Sequence, residues 1–186
     1  MGSTAFRWRR ARIFATGDWG LDAVTDLVCV QTDDFDLAGE YRRLRDISSR
    51  VGAVVTFCGL VRDFESSASD IDPDASINNL TLQHYPGMTE ALLADIIAQA
   101  KTRWTLYGVT VIHRIGTLAP NDQIVFVGVA TEHRKQAFDA AQFLMDYLKT
   151  QATFWKKVTA DGKEQWLDTK GSDNDAVAEW GKSRDD

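Results

Sequence analysis

The sequence predicts an α+β domain built on a mixed β-sheet. Amphipathic helical runs and apolar strand-like runs alternate along the chain, but several strands follow one another directly, which is not the pattern of a regular α/β fold. The length of 186 residues is enough for one domain with a real core and short for two. We therefore expect residues 26–186 to form a single domain.

Residues 1–25 differ from the rest of the chain. Arginines lie at positions 7, 9, 10 and 12 with no acidic residue before Asp18, and the apolar residues show no regular period. The stretch could be a native extension, a mis-assigned start or an Arg-rich targeting peptide. We expect a weakly structured N-terminal extension.

The first half of the domain is predicted to mix strands with amphipathic helices. The strands are 27–31, 52–61 and 80–84, and the helices cover about 36–49 and 89–102. Asp33 or Asp34 is positioned to cap the first helix. The second strand is apolar on both alternating faces, which predicts a central strand covered on both sides. The Ser- and Asp-rich stretch 64–79 is long for a connection, so it is either functional or disordered.

The second half of the domain has the same mixture. Strands are predicted at 109–115, 123–131, 154–159 and 164–167. The stretch 131–157 is predicted to be one helix followed by a short extended segment, and a last helix is predicted at about 173–181. In the longer helix the apolar positions recur at three and four residues, the period of one helical face, and they are Ala137, Phe138, Ala141, Leu144, Met145 and Leu148. This helix should therefore pack one face against the sheet.

Composition and charge exclude several classes of protein. A net charge of −6 argues against a nucleic-acid-binding surface as the main function, so any cationic cluster must be local. No apolar run is long enough to cross a membrane. Cys29 and Cys58 stand singly in apolar runs, which is typical of unpaired thiols in a reducing cytosol, and we expect a cytoplasmic protein. The histidines and acids lack metal-ligand spacing, and the chain has neither a glycine-rich phosphate loop nor a Gly-x-Ser-x-Gly motif.

A set of cationic residues at strand and helix ends marks a candidate site. Its members are Arg62, His133, Arg134, Lys149 and Lys156. Helix N-termini favour anions, and arginine presents a planar fork that suits phosphate or carboxylate. The lysines can act as point charges or move protons. The set indicates a small, phosphorylated anionic ligand, although lysines at the edge of an apolar face also form an ordinary solvated rim.

The spacing of two of these cations has a geometric consequence. Arg134 and Lys149 are fifteen residues apart, so on one helix their Cα atoms lie about 22 Å from each other. No metabolite-sized ligand spans that distance easily. Either the two residues belong to different sites, or Arg134 comes from another copy of the chain in a two-fold dimer.

The remaining histidines are predicted to be structural. His84 could serve as a base, but a histidine whose hydrogen bonds are satisfied at a strand end is the preferred interpretation. His113 lies inside a β-rich run and is interpreted as part of the core.

Several motifs give the chain a resemblance to a known family. In order, they are Gly52–Arg62 (GAVVTFCGLVR), Leu82–Met88 (LQHYPGM), Arg114–Gly116 (RIG), Val125–Val129 (VFVGV), His133-Arg134, Met145–Thr150 (MDYLKT) and Phe154–Lys156 (FWK). With them, the chain from about 26 to 182 resembles the large, catalytic subunit of molybdopterin synthase, the MoaE family. The resemblance implies an α/β-hammerhead type of fold with a mixed, largely antiparallel sheet flanked by helices.

The resemblance also implies a reaction and its partners. Two sulfur atoms would be inserted into cyclic pyranopterin monophosphate to form the dithiolene of molybdopterin. The donor would be a small ubiquitin-like, MoaD-like subunit that ends in a Gly-Gly thiocarboxylate. The assembly would be a homodimer of large subunits with a small subunit at each end, and neither a metal nor a cofactor would be needed.

Residue roles follow from the same resemblance, position by position. It implies that Lys149 and Lys156 are catalytic and that Phe57 and Met145 line the pocket. It further implies that Arg62, His133 and Arg134 bind substrate, the last two reaching the pocket of the neighbouring copy. Two positions depart from the family pattern: Thr153 stands where proline is usual, and Val158 stands where an acid is usual.

Two other functions are consistent with the same residues. The first is a non-catalytic dimeric α+β module that senses an anionic metabolite, which would use the cations without needing both lysines as amines. The second is sulfur transfer through a persulfide on Cys58, which precedes Arg62 by four residues on the same alternating strand face.

Overall fold

The computed structural model describes residues 25–63, 78–152, 154–160, 163–167, 177–178 and 180. Its elements in chain order are β1 Leu27–Gln31, α1 Leu37–Arg45, β2 Ala53–Leu60, β3 Asn79–His84, α2 Met88–Arg103, β4 Gly108–Arg114, β5 Gly116–Leu118, β6 Gln123–Thr131, α3 Arg134–Gln151, β7 Phe154–Ala160 and β8 Lys163–Leu167. The predicted N-terminal extension, nearly all of the 64–79 stretch and most of the predicted last helix lie outside the described residues. Of that helix, Val177, Ala178 and Trp180 are described and are helical.

The strands form two four-stranded sheets. The first has the order β1-β4-β6-β2, in which β1 pairs with β4 in parallel and the other neighbours are antiparallel. The second has the order β5-β3-β7-β8 and is antiparallel throughout. The prediction of an α+β fold with a mixed, largely antiparallel sheet is therefore confirmed. The division into two sheets is visible only in the structure.

Helices cover both faces of the first sheet. The larger core cluster joins α2 and α3 to one face, with Leu93, Phe143 and Leu144 packed against Val109 and Val127. A smaller cluster, which includes Phe35, Leu44, Ile112, Phe126 and Ala130, joins α1 to the other face. Strand β6 is buried on both faces, which explains its continuous apolar run and confirms its predicted two-sided burial.

Strand β2 corrects the prediction of a central strand. Among the described strands it lies at the edge of the first sheet and has one hydrogen-bonded neighbour, β6. Val55 packs towards α3 and Val54 towards α1, whereas Thr56, Phe57 and Leu60 are exposed. Apolar residues on both faces of a strand indicate that both faces are partly covered. They do not indicate whether a neighbouring strand is hydrogen-bonded to each of its two edges.

Three local details also differ from the sequence-based expectation. Helix α1 is capped by Asp36, whose carboxylate accepts from the Ala38 N–H at 3.0 Å, and not by Asp33 or Asp34. A short strand, β5, begins at Gly116, whose φ of 85° turns the chain. Phe138 is 63% exposed and is not among the buried residues of α3, so the buried face does not include it, although the sequence predicts it there.

A third cluster connects the two sheets. Val61 follows β2, Leu82 lies in β3 and Leu118 in β5, and all three are buried together with Phe154 packed against them. The end of β2 is therefore held against the start of β7. No helix in the described part of the chain is both long and apolar enough to span a membrane.

Candidate active site

One end of the first sheet collects several polar chain segments. Strands β2 and β4 both run antiparallel to β6, so that Leu60 pairs with Gln123 and His113 pairs with Val125 near the start of β6. Arg62 and Arg114 therefore emerge at this end of the sheet. We call it the β6-start end.

Helix α3 brings Lys149 to the same end. The helix begins just after the C-terminal end of β6 and runs back across the sheet. Its far end lies near the end of β4, since Phe154, which follows the helix, stacks on His113 with 3.7 Å between ring centroids. Lys149 lies in the last turn of α3 and is exposed. Met145, one turn earlier, is half-buried and packs against the main core.

Lys156 reaches this region from the second sheet. It lies in β7 opposite the buried Leu82 of β3, on the same side of the strand as the buried Val158. Phe154, two residues earlier on the same side of β7, stacks on His113, which places this part of β7 near the end of β4. Arg62 is held near Lys156, because its neighbour Val61 packs in the same buried cluster as Leu82, the residue paired with Lys156.

Phe57 lies further along β2, on the side that faces α3. Its ring edge passes close over Gly59: a Cβ on that glycine would lie 3.4 Å from Phe57 Cε1. The side chain is 41% exposed, unusually high for phenylalanine. An apolar ring open to solvent beside the α3 end can form the wall of a ligand site.

The structure holds His133 and Arg134 at the opposite end of α3. His133 is the N-cap residue, and Arg134 is the first residue of the helix. Both are exposed. The preceding Glu132 accepts a hydrogen bond from the Tyr107 hydroxyl at 3.0 Å and pairs with Arg50 at 3.6 Å, which anchors this turn. Within one chain, therefore, Arg62, Lys149 and Lys156 converge, whereas His133 and Arg134 do not join them.

Two histidines that the sequence predicts to be structural, His113 and His84, also lie at the β6-start end. His113 is 4% exposed, and its Nδ1 lies 2.8 Å from the Arg114 carbonyl oxygen. Burial lowers the pKa of His113 to about 4, with smaller contributions from the charges of Lys156 and His84. His84 lies in β3, and its Nε2 is 3.5 Å from Glu90 Oε1. The buried position of His113 agrees with a core histidine, but its neighbours are candidate site residues.

Arg114 supports the fold at this end. Its Nη1 donates to the Gln123 carbonyl oxygen at 2.9 Å, and its Nε donates to the Thr32 carbonyl oxygen at 3.2 Å. These bonds tie the end of β4 to the start of β6 and to the segment after β1. A guanidinium engaged in this way orders the backbone from which the neighbouring side chains project.

The thiols and the metal-ligating residues do not form a site of their own. Burial, together with the charge of Asp34, raises the pKa of Cys58, and its Sγ contacts Gln123 Oε1 at 3.4 Å. Cys29 is also a free, half-buried thiol. In the described ranges, no three His, Cys, Asp or Glu side chains lie close enough together to hold a metal ion.

Both the sequence and the fold of this chain match known proteins. The model of the MoaE protein family matches residues 30–151. The molybdopterin synthase catalytic subunit of Yersinia pestis is 48% identical over 151 residues, which are 81% of this chain and 95% of that protein. The solved structure of a molybdopterin biosynthesis MoaE protein from Burkholderia ambifaria has a TM-score of 0.70 and 42% identity, covering 85% of this chain and 99% of the other.

A more distant structure shows the same fold. It is the protein–protein complex of subunits 1 and 2 of the molybdopterin-converting factor from Helicobacter pylori, with a TM-score of 0.59 and 16% identity over 76% of this chain and 89% of that one. At this identity the likeness concerns the fold alone. The fold described above is therefore shared by a structure at 42% identity and by one at 16% identity.

Proposed function

We propose, from the premise that this chain belongs to the MoaE protein family, that it is the catalytic subunit of molybdopterin synthase. In this proposal it transfers sulfur from the thiocarboxylated C-terminus of a small ubiquitin-like subunit to cyclic pyranopterin monophosphate. The product is the dithiolene of molybdopterin. In this proposal, residues 26–186 form the catalytic domain. The protein is a cytoplasmic homodimer, with one small subunit bound to each copy.

The observation that carries the proposal is the convergence of three cations at the β6-start end. Arg62 comes from the first sheet, Lys149 from α3 and Lys156 from the second sheet. The chain as a whole has a net charge of −6, so this cluster is a local exception. Cations gathered from three separate elements suit a substrate and a sulfur donor that are both anionic.

The chemistry assigns different work to the lysines and to the arginines. The thiocarboxylate sulfur forms a bond to an oxygen-bearing carbon of the pterin precursor, and the C–O bond there breaks as that oxygen leaves with a proton. Water then hydrolyses the acyl–sulfur bond, which leaves the sulfur on the pterin and releases the small subunit with an ordinary carboxylate. Two such rounds, with two donor molecules, supply both sulfurs of the dithiolene. Negative charge develops on the carbonyl oxygen in the second step. Lys149 and Lys156 stabilise that charge and move protons. Arg62 binds the phosphate with its planar fork.

The substrate site is completed by other residues in this proposal. Phe57 and Met145 form its apolar wall against the pterin ring. His133 and Arg134 come from the second copy of the chain, because within one chain α3 separates Arg134 from Lys149 by about 22 Å. Each dimer then has two equivalent sites, each assembled from both copies.

Reconstitution tests the proposal directly. The purified chain is mixed with the pterin phosphate and a thiocarboxylated ubiquitin-like partner, and the dithiolene product is measured by mass spectrometry. We expect product with this partner and none with the same partner carrying an ordinary carboxylate. If the chain binds both the partner and the pterin but yields no product, the chain is a binding module and not the catalytic subunit.

A further inference from the structure

The tautomer of His113 is set by the backbone. Its Nδ1 lies 2.8 Å from the carbonyl oxygen of Arg114, and a carbonyl can only accept a hydrogen bond. Nδ1 therefore carries the proton, and in the neutral ring Nε2 carries the lone pair. The ring is buried and remains uncharged at neutral pH, because its pKa is about 4.

His113 also supports the start of β7. Its ring stacks on the ring of Phe154, with 3.7 Å between centroids and an interplanar angle of 13°. Phe154 is the first residue of β7, and Lys156 lies two residues later, on the same side of the strand. The stack therefore helps to fix the start of β7, the strand that carries Lys156.

The titratable groups near His113 come from three elements. His84 of β3 pairs with Phe154, which stacks on the His113 ring, and Lys156 lies two residues further along β7. Glu90 of α2 lies 3.5 Å from His84. Glu90 also accepts from the backbone N–H of Gly87 at 2.7 Å, so its carboxylate is already engaged by this turn. His113 is buried whereas Lys156 is exposed, and Phe154 links the two, because it stacks on the His113 ring and lies two residues before Lys156 on the same side of β7. From this position the lone pair of His113 Nε2 is a neutral acceptor beside β7.

We propose that His113 is a positioning residue for Lys156. It supports the start of β7 through its stack on Phe154, and it offers Nε2 as a hydrogen-bond acceptor to the lysine ammonium. Its effect on catalysis rests on the proposed function. The proposed hydrogen bond between His113 and Lys156 can be tested without any assay of that function.

The first experiment measures the reactivity of Lys156 in the folded protein. The wild-type protein, His113→Phe and Thr110→Val are treated with an acetylating reagent, and acetylation of Lys156 is compared with that of the exposed Lys135 by peptide mass spectrometry. His113→Phe keeps a flat ring for the stack but removes both nitrogens. Thr110→Val removes another buried polar group from β4 and is the matched control.

We expect Lys156 to react about threefold or more faster in His113→Phe than in the wild type, because an acceptor favours the charged ammonium over the reactive free amine. Thr110→Val should leave the ratio unchanged. If the ratio is the same in His113→Phe as in the wild type, the positioning role is wrong. Should His113→Phe not fold, His113→Asn keeps a donor for the Arg114 carbonyl and decides the question by the same comparison.

The second experiment uses turnover. We expect kcat of His113→Phe to fall by about tenfold while KM for the pterin changes by less than about twofold, since the lysine acts on the reaction and not on substrate affinity. An unchanged kcat would contradict the proposal. If the wild type makes no product although Lys156 reactivity responds to His113, the proposed function fails and the positioning contact stands.

Discussion

Arg134 and Lys149 lie at opposite ends of the same helix. Arg134 is the first residue of α3, and Lys149 lies two residues before its last residue, Gln151. At 1.5 Å per residue their Cα atoms are about 22 Å apart, and the helix is continuous between them. A rigid helix of this length cannot bring both side chains to one small substrate. A site that uses both residues must take them from two copies of the chain.

Mixing two inactive variants tests whether the copies share their sites. Arg134→Ala and Lys149→Ala should each be nearly inactive alone. A mixed dimer, however, contains one site with both wild-type residues, so refolding the two variants together should restore about a quarter of wild-type activity. Activity is measured as dithiolene formation with the thiocarboxylated partner.

The control mixture combines Lys149→Ala with Lys156→Ala. Both residues belong to the same end of one chain, so every site in the mixed dimer lacks one lysine and no activity should return. If the Arg134 and Lys149 variants also fail to complement each other, the two-copy site is wrong.

Neighbouring lysines on β7 should have different effects on the reaction. Lys156→Ala should lower kcat by about a hundredfold, because it removes a charge that stabilises the developing anion. Lys157 projects from the other side of the strand, where its Nζ pairs with Glu164 at 2.8 Å and lies over the Trp166 ring. Lys157→Ala should keep kcat within about twofold, since an exposed ion pair contributes little. Equal losses in the two variants would argue against a specific role for Lys156.

His113 should make stability depend on pH. Its pKa is about 4 in the folded protein and 6.5 in the unfolded chain, so between these values the unfolded chain binds more protons. This contribution is fully present above the unfolded value and is lost as the pH falls towards the folded value. The free energy of unfolding should drop by about 2 kcal/mol more between about pH 7 and pH 5 in the wild type than in His113→Phe. Urea unfolding at both pH values measures the difference, and parallel pH dependences would refute it.

Gly52 should be essential for the close approach of β2 to the turn before α3. Its N–H donates to the Thr131 carbonyl oxygen at 3.0 Å, and a Cβ at this position would overlap the carbonyl oxygen of Glu132. Gly52→Ala should lower the free energy of unfolding by about 1–3 kcal/mol, because two backbone segments would have to separate. Chemical denaturation measures the loss.

Gly39 offers a matched control for this prediction. It lies within α1, where a Cβ would meet the carboxylate of Asp36 at 2.8 Å, a side chain that caps the helix but can shift by rotation. Gly39→Ala should change the free energy of unfolding by less than about 1 kcal/mol, since the better helix propensity of alanine offsets a disturbed cap. A similar loss in both variants would show that Gly52 has no special packing role.

Cys58 is expected to take no part in sulfur transfer. Burial raises the pKa of its thiol, so at neutral pH it is protonated and a poor nucleophile. Its neighbours belong to the cluster on the α1 side of the sheet, whereas Lys149 lies on α3. Cys58→Ser should form product with the thiocarboxylated partner at close to the wild-type rate. Loss of activity in a stably folded Cys58→Ser protein would favour the persulfide route.

Local patterns were sufficient to predict the kind of element at most positions. The alternation of apolar residues predicted β6 and its burial on both faces, and the three-to-four spacing predicted α3, because burial of a face is a repeating property of a single element. The resemblance to the MoaE family rests on short motifs and was equally accessible from the chain. The same reasoning placed β2 in the middle of the sheet, because apolar faces do not reveal whether a neighbour is present at the edge.

The sequence by itself determined the fold class, the family and which cations are candidate site residues. Only the tertiary structure decided how those cations are grouped. Lys156 approaches the first sheet because Val61, Leu82 and Phe154 form one buried cluster between the two sheets. His113 meets Phe154 for the same reason. Periodicity records the environment of one element at a time, whereas these contacts join distant parts of the chain through packing that no local pattern encodes.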